Sequence, residues 1–309
     1  MIGRLLAALA VIVCGTVVAG QQEKPPQPSG PAFRAAIDIV SLAVTVTEGS
    51  RYVTDLEESD FQIFEDGIRQ EAAFFSRRQQ PIALSLLLDS SASMEDKLPT
   101  LQAAAGNFVR RLRPNDIAQV IDFDSRVDVR QMFTGSQPDL LTAIDRTAAG
   151  GSTSLHNAIY IALKELRKVR AVTEQDIRRQ ALVVFSDGED TSSLISFDEV
   201  LDLAKRSETS IYAIALRGPD VQSKGFREAE YVMRTLALET GGRSFFPGRI
   251  EDLDSVYTQI ADELASQYTI GYASKNPRRD GAWRRIDVRV SRPNAAARTK
   301  RGYYAPTGR

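Results

Sequence analysis

The chain has 309 residues, of which 43% are hydrophobic and 26% charged, and its formal net charge is -1. That length supports one large core or two modest ones. The near-neutral balance removes the electrostatic case for a nucleic-acid partner, which needs a basic domain or face.

Residues 1–20 read as a secretory signal peptide. Arg4 supplies the basic start, 5–13 are apolar, and Val18-Ala19-Gly20 offers small residues for cleavage. The apolar run is shorter than the roughly 20 residues of a membrane-spanning helix, although an uncleaved anchor is the alternative. No later segment is long and apolar enough to span. The expected location is therefore the periplasm or the extracellular space, with an envelope association possible. The only cysteine, Cys14, falls inside this segment. Val13 before it is bulkier than the small residue a lipoprotein signal places there. Once cleaved, the chain has no disulfide and no thiolate metal site, so its stability must come from a core. Residues 21–36 are rich in proline and polar residues and read as a disordered or extended linker.

From residue 37 the pattern turns to strands. Residues 37–49 alternate with β-branched side chains, and Asp66-Gly67 separates two further alternating runs, a hairpin signal. This unit, 37–80, is too short for a core of its own. Pro81 then introduces IALSLLLDSSASM, an apolar run that ends in an aspartate and serines. Such runs are buried parallel strands, covered on both faces. A helix follows over 95–112, a strand over 117–123, another over 126–133 in a hairpin with it, and a short helix over 139–147. Gly150-Gly151 and a hydroxyl-rich turn precede a helix from Leu155. QALVVFSD is a further strand ending at Asp187. Helix, strand, helix, short strand and helix then alternate to residue 265. The segment 267–305 changes class again, with three strands and no helix.

The expected fold class is thus α/β. A doubly wound, Rossmann-like domain over 81–266 has a mostly parallel sheet with one antiparallel edge strand. The two β-rich flanks, 37–80 and 267–305, combine into one small discontinuous β-sandwich.

The chemistry gathers at strand ends. Asp89, Ser91 and Ser93 lie where the first strand of the middle domain gives way to a helix, the place where open α/β sheets bind ligands. All three offer hard oxygen donors, the kind Mg²⁺ takes in near-octahedral geometry. The plain alternative is that Ser93 and Thr153 only cap helices, Ser93 through a capping box in SMED, and that Asp89 and Asp187 only end strands. Asp124, Glu189 and Asp190 read as solvated loop acids that could tune a nearby field.

The middle domain resembles the von Willebrand factor type A family. The resemblance rests on DSSAS at 89–93, on Thr153 in GGSTSL and on Asp187 in VVFSDGED, which fill every position of that family's metal-ion-dependent adhesion site in the right order. The flanks, through DFQIFEDGIRQEAAFFS, DELASQYTIGY and TKRGYYAP, are similar to a bacterial exported group of proteins with related domains. The resemblance implies a Mg²⁺ or Mn²⁺ ion held directly by Ser91, Ser93 and Thr153, with Asp89 and Asp187 supplying charge directly or through water. It implies an acidic residue of a protein partner completing the coordination, and so an exported, metal-dependent binding module rather than an enzyme.

Two other readings stand beside this one. A metal-assisted hydrolase of the phosphatase kind would use Asp89 as a nucleophile. Such enzymes follow it with a second aspartate where this chain has Ser91, and no general base is in view. A scaffold with a vestigial site is the other. The single histidine, His156, argues against a His-rich zinc site and against a Ser-His-Asp triad, and reads as a helix-surface side chain one turn after Thr153. No phosphate-binding glycine loop follows the first strand, so nucleotide binding is not expected. The arginines of the tail, including Arg278, Arg279, Arg284, Arg285 and Arg289, read as outward-facing strand residues. TLALETGGR reads as a structural helix end.

Overall fold

The computed structural model describes residues 38–169, 177–186, 190–216 and 224–308. The expected signal peptide and linker, together with Asp187 and Glu189, lie outside the described residues.

The chain opens with five antiparallel strands, β1 (Ile39–Glu48), β2 (Arg51–Tyr52), β3 (Phe61–Glu65), β4 (Ile68–Gln70) and β5 (Ala72–Ser76). Asp66 and Gly67 join β3 to β4 with φ of 49° and 83°. These positive values belong to the two-residue turn whose twist matches that of paired strands.

The middle of the chain alternates: β6 (Ile82–Asp89), α1 (Leu98–Arg110), β7 (Ile117–Phe123), β8 (Val127–Thr134), α2 (Gln137–Asp145), α3 (Leu155–Leu166), β9 (Arg179–Ser186), α4 (Phe197–Arg206), β10 (Thr209–Ala215), α5 (Lys224–Thr240), β11 (Ser244–Phe245) and α6 (Leu253–Ser266). Its six-stranded sheet has the order β11-β10-β9-β6-β7-β8. Only β8 runs antiparallel, as the edge partner of β7. Every residue of β6 is buried, because helices cover both faces. Leu84, Leu86 and Leu88 pack with α1, α2 and α6 on one side. Ala83 and Leu87 pack with α3, α4 and α5 on the other. The order reverses direction at β6, with β7 on one side and β9 on the other, so the crevice at their carboxyl ends is the switch point of the sheet.

The closing strands are β12 (Tyr268–Ala273), β13 (Trp283–Val290), β14 (Ala295–Arg298) and β15 (Gly302–Tyr304). They interleave with the opening ones. A five-stranded sheet runs β14-β1-β12-β5, with β2 beside β1, and a four-stranded sheet runs β15-β13-β3-β4. Leu42, Val44 and Ile270 of the first face Ile63, Ile286 and Val288 of the second across one apolar core. The strand β14 was not expected. Its sequence, Ala-Ala-Ala-Arg, has neither branched nor aromatic residues to mark it, and its pairing with β1 supplies what its propensity does not.

The outward reading of the tail arginines fails at Arg284, which is 2% exposed. Its guanidinium bonds Glu65 Oε1 at 3.2 Å inside the sandwich. The Tyr272 and Tyr303 hydroxyls both donate to Glu65 Oε2 at 3.0 Å. The other arginines named above are not buried.

A second polar knot joins sandwich to α/β domain. Glu263 on α6 accepts from the Tyr212 hydroxyl at 2.8 Å and pairs with Arg298 of β14 at 2.5 Å. Arg179 at the start of β9 donates to Gln267 Oε1 and to the Leu264 carbonyl, each at 2.7 Å. Lys205 and Arg206 at the end of α4 stack on Trp283 and Tyr304, each 3.9 Å from the ring centre.

Candidate functional site

Asp89 is the last residue of β6 and is fully buried. One carboxylate oxygen accepts the Ser91 N–H at 2.9 Å, and the other accepts the Ser186 hydroxyl at 2.5 Å. The carboxylate therefore ties the turn after β6 to the end of β9. Ser186, which sequence reasoning passed over, is the residue immediately before Asp187.

The turn itself is tight. Residues 92–94 form a short 3-10 turn, and α1 begins only at Leu98, with Lys97 at its N-cap. Ser93 is thus not the N-cap of α1. The Ser91 and Ser93 hydroxyl oxygens stand 3.1 Å apart. Ser91 is 2% exposed, while Ser93 is open to solvent.

Thr153 belongs to the loop before α3. That helix has Ser154 at its N-cap, so Thr153 does not cap it either. The loop is stitched to the Asp89 turn by backbone bonds, Gly150 N–H to Ser90 carbonyl at 2.8 Å and Ala92 N–H to Gly151 carbonyl at 3.1 Å. Gly151 has φ of 68°, and a Cβ there would lie 2.9 Å from Asp124 Oδ2, so only glycine lets the loop close on the end of β7. Ser154 donates to the Asp124 carbonyl through both its N–H, at 2.8 Å, and its hydroxyl, at 2.6 Å. From the other side, the Thr191 and Ser192 N–H groups reach the Thr153 carbonyl at 2.9 and 3.0 Å. The segments after β6, β7 and β9 thus converge on Asp89, Ser91, Ser93 and Thr153. Asp187 lies outside the described residues.

The remaining acids sort by their partners. Asp124 accepts the Arg126 N–H at 2.6 Å and so shapes its own turn. Asp190 is not a solvated loop acid. It accepts the His156 N–H at 3.3 Å, in the first turn of α3, and its other oxygen is 3.5 Å from His156 Nδ1. Asp122, buried on β7, has its carboxyl pushed above the ordinary range by burial, while Arg130 at 2.9 Å pulls it back. Among the described residues no group of three or more histidines, cysteines or carboxylates is disposed to hold a metal.

A doubly wound sheet with an acidic, hydroxyl-rich crevice at its switch point defines a class of α/β binding domain. The profile of the von Willebrand factor type A domain matches residues 84–259, more than half of the chain, and the protein belongs to that family. No curated protein sequence matches it. Among solved structures, the von Willebrand factor domain of the type V pili tip protein Mfa5 from Porphyromonas gingivalis is similar over 60% of this chain and 95% of its own, at 12% identity and a TM-score of 0.50. A von Willebrand factor type A protein from Catenulispora acidiphila is similar over 89% of this chain and 76% of its own, at 10% identity and a TM-score of 0.51. At these identities the likeness is one of fold. No helix among the described residues is long and apolar enough to cross a membrane.

Proposed function

We propose that this protein is an exported binding module that grips an acidic residue of a protein partner through a divalent cation, Mg²⁺ or Mn²⁺, at the end of β6. Domains of this family often mediate protein–protein interaction and adhesion, are mostly not enzymes, and commonly bind such a cation. The observation that carries the reading is the pair of serine hydroxyls 3.1 Å apart beside a fully buried carboxylate. Adjacent ligands on an octahedral Mg²⁺, each 2.0–2.1 Å from the metal, are about 2.9 Å apart, so this spacing suits two neighbouring ligands.

Ser91, Ser93 and Thr153 would hold the ion, and Asp89 and Asp187 would supply its charge. A cation bound chiefly by neutral hydroxyls keeps its Lewis acidity and takes up an anionic oxygen from outside. The chain's own part is to hold those hydroxyls still. Asp89 does so by fixing the Ser91 N–H and Ser186, and the Thr153 carbonyl does so by receiving the loop after β9.

Calorimetric titration of Mg²⁺ into wild type, Ser93→Ala and Thr153→Ala tests the reading. Saturable binding to wild type is expected, weakened at least tenfold in each variant, with thermal stability without metal nearly unchanged for the exposed Ser93. Equal binding by all three proteins would refute it.

A further inference from the structure

The five-stranded sheet of the sandwich ends in an open edge. Among the described residues β5 pairs only with β12, and no backbone group of Ala72–Ser76 bonds a backbone group of any other segment. The register shifts between Gly271 and Tyr272, so Ala73 is a bulged residue without a partner on β12. Exposed edges are usually blunted by charge, by proline, by a bulge or by brevity. The other sheet ends follow that rule. β11 has two residues, β4 and β15 have three, β14 has four, and β8 carries exposed Asp128 and Arg130. β5 has five residues, Ala-Ala-Phe-Phe-Ser, without a charge or a proline, and only the bulge guards it.

The surface beside this edge is apolar. Phe74 is 50% exposed and Ile39 48%. They flank Gly271 on the outer side of the sheet, where a Cβ would lie 3.0 Å from Ile39 Cγ2 and 3.5 Å from Phe74 Cβ. Opposite charges bracket the strand, Glu71 before it and Arg77 after it. Glu71 pairs with Lys275 and Arg77 with Glu57, each at 2.8 Å, yet the Glu71 and Arg77 side chains remain 85% and 47% exposed. The run Glu-Ala-Ala-Phe-Phe-Ser-Arg is therefore complementary to an antiparallel copy of itself. Pairing centred on Phe74 sets Phe74 against Phe74, Ala72 against Ser76 and Glu71 against Arg77, the last two twice by symmetry. Pairing centred on Ala73 would set Glu71 against Phe75, and pairing centred on Phe75 would set Arg77 against Ala73.

We infer that β5 is a homodimer edge: two copies of this chain pair β5 with β5, antiparallel about a twofold axis at Phe74, and join their two five-stranded sheets into one. The main chain supplies the attachment, Phe74 packs on its own copy across the axis, and the facing of Glu71 and Arg77 fixes the register. The inference is independent of the metal-dependent reading above. A dimer carries two strand-end crevices, so a surface with repeated acidic partners would be gripped at two points.

Sedimentation velocity of the full chain over a range of concentrations, with chelator present so that metal plays no part, tests the edge. A reversible dimer is expected for the wild type. Phe74→Glu, at a half-exposed outward position, is expected to raise the dissociation constant about tenfold or more with an unchanged melting temperature. Glu71→Arg and Arg77→Glu are each expected to weaken the dimer alone, whereas an equal mixture of the two recovers it, because every reversed charge then meets an opposite one. These two variants carry the test if Phe74→Glu melts early. A wild type that stays monomeric at every concentration would overturn the inference. So would a dimer indifferent to all three substitutions, or a mixture that associates no better than either variant alone.

Discussion

Glu65 and Asp89 are both buried carboxylates at strand ends, and their partners give them different roles. Asp89 bonds a backbone N–H and a hydroxyl within a crevice that opens to solvent at Ser93. Glu65 is closed in by Arg284, two tyrosine hydroxyls and Ser274. The side chains of Arg284 and Glu65 are 3% and 2% exposed, so removing one leaves the other charged in the interior. Breaking such a pair costs about 3–5 kcal/mol. Glu65→Ala is therefore expected to lower the unfolding free energy by that amount, read as a lower urea midpoint with an unchanged slope. A loss below about 1 kcal/mol would show that the sandwich relaxes to hydrate Arg284.

At the scale of elements, the junction between α5 and β11 is tightly packed. Gly241 has φ of 78°, and a Cβ on Gly242 would lie 1.9 Å from the Ile211 carbonyl oxygen. The Arg298 guanidinium also reaches both glycine carbonyls, at 2.8 Å for Gly241. Gly242→Ala should therefore leave little folded protein, as judged by soluble yield and circular dichroism, and a normal melting curve would contradict this packing. The two glycines were visible in the sequence as a helix stop, but not the reason both are needed, since a strand and the tail press on them from elsewhere in the chain. The same division runs through the site. Apolar runs ending in Asp89 and the glycines before Thr153 are local signals, so the sheet and the place of the crevice could be read. Ser186 and the His156–Asp190 pair depend on loops from different strands meeting, which no spacing encodes. Arg284 misled for a related reason. A charged residue in an alternating strand reads as outward unless its partner, here more than two hundred positions away, is known.

At the scale of the whole molecule, the chain's two flanks close on each other, and the knot around Glu263 fastens them to α6 and β9. Buried phenols lie in that knot and on both sides of it. Burial pushes the Tyr52 hydroxyl from 10.0 up to about 12. Burial likewise raises Tyr212, Tyr257 and Tyr272, with Glu263 adding to the effect at Tyr212 and Glu65 at Tyr272. In the unfolded chain these groups ionise near 10. Above that pH the unfolded state releases protons that the folded state keeps, so the contribution of these tyrosines to stability is constant below about pH 10 and falls as pH rises toward 12 and beyond. Phenolate absorbance should appear in step with loss of near-ultraviolet dichroism. Full ionisation near pH 10 with the fold intact would contradict the burial.

The most direct measurement of the central claim is anomalous X-ray scattering from crystals grown or soaked with Mn²⁺. A single strong peak is expected within coordination distance of the Ser91 and Ser93 hydroxyls, with Thr153 completing the inner ligands. The peak should be lost in crystals of the Ser93→Ala protein treated in the same way. Ordered crystals with no peak at the end of β6, or with the metal held elsewhere, would contradict it.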